Sequence, residues 1–159
     1  DLANNYGNLC QRVLAFCEKN CDSKIPTSDF VNDDLEILKN FENLEYLRDL
    51  IDNQNINDYM KFIIDMLFSS NKYFNDQEPW KKKNDKNRLN TIVYTALDLI
   101  RKISILLNPV IPDTTFKVLK IFDINGDKLK FEDINNHKFL ESGKNIGKLN
   151  ILFKKIEND

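Results

Sequence analysis

The chain is 159 residues long, with 42% hydrophobic and 30% charged residues and a formal net charge of −2. Such a composition supports one ordinary folded core and excludes a disordered chain or a membrane-spanning one, whose apolar stretches would be far longer. Glycine and proline number only four each, too few turn residues for an all-β chain, so a mostly α-helical fold is expected.

The chain opens at Asp1 without a methionine, a basic segment or an apolar leader, and its first residues already follow a helical pattern, so it is expected to be part of something longer. Leu2, Tyr6, Leu9, Val13 and Cys17 recur at spacings of three and four and predict an amphipathic helix over 2–17. Asn8 and Arg12 stand one turn apart beside that stripe. An amide offers a donor and an acceptor, and a guanidinium offers a planar fork of donors, so the pair can read the edge of an unstacked base. On spacing alone, in so asparagine-rich a chain, a surface hydrogen-bonded pair is the favoured reading. Cys10, Cys17 and Cys21 are odd in number and crowd into one helix and its end, which argues against a disulfide framework. Cys17 and Cys21 lie four apart, but no second pair completes four ligands, and no metal is expected.

Residues 22–31, with Pro26, predict a loop, and a second helix should run over about 33–52 with Leu35, Leu38, Phe41, Leu44 and Leu47 or Tyr46 inward. A third helix follows the polar break at 53–57. Its buried series is Ile56, Met60, Ile63, Leu67 and Phe74, and it must end before Pro79. The segment NDQEPWKKKND, residues 75–85, is polar except for Trp80 and reads as a loop presenting that ring. Lys81, Lys82, Lys83, Lys86 and Arg88 follow it closely, joining a stacking surface to cations that can neutralise phosphates. A solvated lysine turn is the blander reading. Residues 1–75 carry 7 basic against 13 acidic groups and residues 76–159 carry 16 against 12, so the second half is the basic one.

Leu89, Ile92, Val93, Ala96, Ile100, Ile103 and Leu107 predict a fourth helix over about 86–107, stopped at Asn108-Pro109, and Pro112 suits the first turn of a fifth over 112–122. Beyond Phe122 the periodicity fades into a tail with turns at Asn125-Gly126 and 143–147. Its Phe131, Phe139, Leu149, Leu152 and Phe153 must pack on something. The sum is an all-α, antiparallel bundle of about five helices over 1–122 with a less regular tail over 123–159, the two forming one domain. No catalytic residue is assigned: His137 is the single histidine, and no glycine-rich phosphate loop is present.

Three segments taken in order, LANNYGNLCQRVL at 2–14, YFNDQEPW at 73–80 and RLNTIVYTALDLIRKISILLNPVIP at 88–112, resemble the C-terminal anticodon-binding domain of methionyl-tRNA synthetases. They match its N-L-x-x-R helix, its P-W loop and its L-x-P-x-x-P ending. The closing IGKLNILFKKIE resembles the end of short bacterial members. The resemblance implies that Asn8, Arg12 and Trp80 recognise the CAU anticodon, chiefly its first base. Pro79 would shape the loop, and Lys81, Lys82 and Lys83 would hold the RNA backbone. Asn75 stands where some members carry an acidic residue, and no role is carried over to it.

The resemblance further implies a cytoplasmic parent methionine–tRNA ligase that uses ATP with Mg in a catalytic domain of the same chain, whose signatures these residues lack. The partners are then a methionine-specific tRNA and that catalytic domain, and no membrane. Two rival readings are the helical domain of another class I synthetase, against which the joint N-L-x-x-R and P-W motifs argue, and a helical protein-interaction module with Trp80 as its hot spot. For an RNA reader, the Trp80 loop should lie at the helix end near Asn8 and Arg12, with all three side chains at least partly exposed.

Overall fold

A computed structural model describes residues 2–148, and among them six α-helices are linked by short turns and, between the first two, by a longer loop over 21–31. They are α1 (Leu2–Asn20), α2 (Asn32–Leu38), α3 (Leu44–Asp52), α4 (Ile56–Gln77), α5 (Lys86–Leu107) and α6 (Pro112–Ile121). Short 3₁₀ turns cover Lys39–Phe41, Pro79–Lys81, Gly126–Lys128 and Phe131–Asn135. The starts follow local chemistry: side-chain oxygens of Asn43, Asn55 and Asp85 accept from the backbone N–H of Tyr46, Asp58 and Arg88, capping α3, α4 and α5. Pro112 opens α6, where its missing N–H costs nothing.

Helix α5 is the axis of the bundle. It is buried continuously from Thr91 to Leu107, the all-round burial expected of a helix enclosed by others. Tyr6 of α1 meets Ser104 while Cys21 reaches Asn90, so α1 runs antiparallel to α5. Helix α4 does likewise, with the Tyr59 hydroxyl donating to the carbonyl of Leu106 near one end and Gln77 accepting from Arg88 at the other. Consequently α1 and α4 lie side by side and parallel, with Phe16 against Phe74.

The expected bundle is present, but its second helix is broken. The expected helix over 33–52 divides at Glu42 and Asn43, because the Asn43 side chain caps a new start. That break changes which residues face inward. Leu35 and Tyr46 are 44% and 47% exposed, while Asp34, Ile37, Leu38, Phe41 and Leu47 are buried. On α4, Ile56 at the first position is 67% exposed, and Tyr59, Met66 and Tyr73 join Ile63, Leu67 and Phe74 inside.

The tail, as far as it is described, packs on the bundle through Ile124, Ile134, Leu140 and Ile146, with Phe131 and Phe139 partly buried. Leu149, Leu152, Phe153 and most of the closing segment lie outside the described residues. A charged cluster inside α5 holds this tail. Asp98 accepts from Arg101 at 2.8 Å and pairs with Lys102 at 2.6 Å, all three fully buried. The remaining Arg101 N–H groups donate to the carbonyls of Asp133 (3.0 Å) and Asn136 (2.8 Å), and the guanidinium lies 4.6 Å from the Phe139 ring centre.

Removing one member of such a cluster strands the others. Asp98→Ala should cost about 3–5 kcal/mol of unfolding free energy in urea titration, and a loss below about 1 kcal/mol would mean that the cluster is solvated. Burial outweighs the pull of Asp98 and lowers the Lys102 amine to about 8. The unfolded chain keeps that proton up to roughly pH 10.4. It therefore binds more protons than the folded one across this window, and stability contributed by Lys102 rises with pH there. Lys102→Met should remove that rise.

Candidate nucleic-acid interface

Asn8 and Arg12 project from α1 into a groove of about 580 Å³ whose other wall is α4. Arg12 is held there by neutral acceptors. One of its N–H groups donates to Asn71 Oδ1 at 3.1 Å and another to Asn75 Oδ1. The Asn71 amide is itself oriented, donating to the carbonyl of Leu67 one turn back. Beneath the guanidinium, 5.5 Å away, is the ring of Phe74.

The same Phe74 supports Trp80. The two rings meet edge to face, with centres 6.1 Å apart and planes at 67°, an arrangement aromatic quadrupoles favour. Trp80 is 42% exposed, so part of its ring is supported and part is open to solvent. Arg12 and Trp80 are therefore brought together through one shared neighbour. Asn8 shares the groove with Arg12, whereas Trp80 stands beside it and is not part of its lining.

The loop that carries Trp80 is fixed from below. Asp34 is fully buried and accepts a bidentate fork from Arg88 at 2.8 and 2.9 Å, the Tyr73 hydroxyl, and the backbone N–H of Val31 at 2.9 Å. Burial pushes the Asp34 carboxyl up, but the donors of Arg88, Tyr73 and Val31 outweigh it and hold the group below the usual carboxylate range. Arg88 also donates to Gln77 Oε1 at 2.8 Å, and the carbonyl of Gln77 accepts from Lys82 at 2.6 Å. These bonds tie the last turn of α4 and the first turn of α5 to α2. Between them Glu78 adopts a left-handed conformation (φ 47°), which costs a residue with a Cβ about 1–3 kcal/mol. It ends α4 so that buried Pro79 can turn the chain and lift Trp80 outward.

The cations that follow Trp80 in sequence are not equally free. Arg88 is spent on Asp34, Lys81 pairs with Glu78 at 2.8 Å, and Lys82 leans on Gln77. Lys83 is exposed and has no hydrogen bond or ion pair among the described residues. Asn71 and Asn75 carried no signal in an asparagine-rich chain, and Phe74 reads from periodicity as core. His137 lies far from these residues in sequence and meets Glu42 at 3.0 Å. Among the described residues no group of three or more His, Cys, Asp and Glu side chains is placed to hold a metal ion, and no helix is long and apolar enough to cross a membrane.

Trp80 is the single tryptophan and reports on its own loop. Asp34→Asn should leave α1 and α4 helical yet raise the quenching of Trp80 fluorescence by iodide several-fold, because the Arg88 fork loses its carboxylate. Unchanged quenching would mean that the loop is held by Pro79 and Phe74 alone. Acid should act in the same direction: the held carboxylate stabilises the loop above the unfolded-state value of roughly 3.9, and that contribution is lost as pH falls through the lower folded value.

Comparison with known proteins places the fold. A family model described as the anticodon binding domain of methionyl tRNA ligase matches residues 29–159. The methionine–tRNA ligase of Brucella suis biovar 1 (strain 1330) is 36% identical over 137 residues, covering 84% of this chain and 27% of that protein. That of Thermotoga maritima is 31% identical over 161 residues, covering 99% of this chain and 25% of that protein. Among solved structures, the apo form of Mycobacterium tuberculosis methionyl-tRNA synthetase aligns with a TM-score of 0.86 at 29% identity, over 96% of this chain and 32% of that one. The form of that protein bound by methionyl-adenylate aligns equally well, with a TM-score of 0.86. This chain thus spans roughly a quarter to a third of the length of these relatives. It belongs to the family of methionyl-tRNA ligase anticodon-binding domains.

Proposed function

We propose that residues 1–159 act as one anticodon-binding unit that reads the CAU anticodon of a methionine-specific tRNA. In this reading the first anticodon base stacks on the open part of Trp80, and its edge meets Asn8 and Arg12. The observation that carries it is the Arg12 guanidinium, immobilised by two uncharged amide oxygens and a ring that also supports Trp80. A cation held by a carboxylate would be neutralised, whereas one held by amides keeps its whole charge for a ligand. Pro79 shapes the loop and Lys83 is free to meet a phosphate, while Lys81 and Lys82 brace the loop.

The parent activity in this proposal is that of a methionine–tRNA ligase in the cytoplasm. Its ATP and Mg would be used by a catalytic domain in the part of the relatives' length that this chain does not span. The chain alone should then show no methionine-dependent pyrophosphate exchange.

Binding of a fluorescently labelled anticodon stem-loop, followed by its anisotropy, tests the reading directly. Trp80→Ala should weaken binding by roughly 1–3 kcal/mol, the scale of one base stack, whatever the first anticodon base. Asn8→Ala and Arg12→Ala should lose more against a cytosine at that position than against other bases, because edge hydrogen bonds discriminate and stacking does not. Lys83→Ala should weaken all stem-loops about equally and reduce the salt slope by about one. Equal losses on cognate and altered anticodons for both Asn8→Ala and Arg12→Ala would remove base reading from α1.

A further inference from the structure

The groove that receives Arg12 has a second end, formed where α1 begins. There Phe68 is 75% exposed and Ile64, one turn before it on α4, is 47% exposed. Both line the same cavity, with Leu2 opposite. Phe68 is the most exposed large apolar side chain among the described residues, and it stands at the mouth of a cleft within the volume range typical of ligand sites.

The rest of the lining identifies the ligand chemistry. Asn5, Asn8, Gln11, Asn71 and Asn75 give the cavity five side-chain amides; Arg12 gives it one positive charge, and among the described residues no carboxylate lines it. Amides place a donor and an acceptor side by side, matching the edge of a nucleobase. None of these described lining residues would repel a phosphate backbone. A groove for an amphipathic protein helix would instead carry apolar side chains along its length, whereas here they are confined to Leu2, Ile64, Leu67 and Phe68. Phe68 and Phe74 are six residues apart on α4, roughly 9 Å along the helix axis, and Trp80 stands beyond Phe74. The rings of Phe68 and Trp80 are thus too far apart to sandwich one base and are placed to take two.

We propose that Phe68 is a second stacking platform, on which a second unpaired base of the same RNA loop lies while its edge meets the amides of Asn5 and Asn8. This assignment rests on the RNA reading of Trp80 and Arg12 given above. It makes the α1–α4 groove, together with the Trp80 ring beside it, a site for two loop nucleotides.

The test uses the whole chain with a fluorescently labelled CAU anticodon stem-loop, and with a set of stem-loops each carrying one abasic nucleotide in the loop. Phe68→Ala should raise Kd roughly 5- to 100-fold, the effect of one lost base stack, while Phe68→Tyr stays within about twofold of the parent. One abasic position should make Phe68→Ala harmless, and it should differ from the position that makes Trp80→Ala harmless. Because Phe68 is exposed, its replacement should leave the thermal midpoint unchanged. If Phe68→Ala binds within twofold of the parent while Trp80→Ala and Arg12→Ala weaken binding, the second platform is overturned and the anticodon reading stands. If Phe68→Ala weakens binding by the same factor on every abasic stem-loop, the ring touches no base, which also overturns it. If none of the three variants changes Kd, the anticodon reading falls and this proposal falls with it.

Discussion

The buried pair of Asp34 and Arg88 is the constraint on which the interface depends. A carboxylate removed from water costs several kcal/mol unless nearly all its lone pairs are used, and here a bidentate fork, a tyrosine hydroxyl and a backbone N–H use them. Satisfying Asp34 forces the start of α2, the end of α4 and the start of α5 to meet at one point. The Trp80 loop is the short span between two of those elements, so its ends are set before its own side chains make any contact. Gln77 extends the same network into the loop by accepting from Arg88 through its side chain and from Lys82 through its carbonyl.

This rigidity bears on recognition because ordering a ring or a guanidinium at the moment of binding subtracts from affinity. Trp80 rests edge-on against Phe74, and Arg12 lies over the same ring with two of its donors already placed. Phe74 in turn is braced by Phe16 on α1, so the two walls of the groove share a single aromatic support. The left-handed Glu78 belongs to the same economy of form: the chain accepts local strain at the end of α4 because the surrounding bonds leave it no relaxed alternative.

A net charge of −2 sits oddly with a nucleic-acid partner until the charges are placed. Two of the basic side chains of the second half, Arg101 and Lys102, are buried with Asp98 and anchor the tail to α5. Others are committed to the Trp80 loop itself. What fits the proposed RNA partner is local: a groove whose lining, among the described residues, holds one arginine, several amides and no carboxylate. Affinity drawn from one ring and one groove rather than from a broad basic face depends less on salt and more on the identity of the base.

The sequence by itself determined the helical class, most helix boundaries and the exposure of Trp80. Periodicity, proline positions and the lone aromatic in a polar run are local signals, read within one or two turns of chain. It misjudged the second helix because a mid-pattern asparagine that caps looks the same as one that does not until the backbone turns at Asn43. Tertiary structure alone decided which polar residues matter. Arg88 reads as one more cation after Trp80 and proves to be a strut, because its partner Asp34 is 54 residues away. Asn71 and Asn75 read as composition and prove to hold Arg12 across 59 and 63 residues. Such pairings follow from how α1, α2, α4 and α5 pack around one another, and no periodicity within a single segment encodes them.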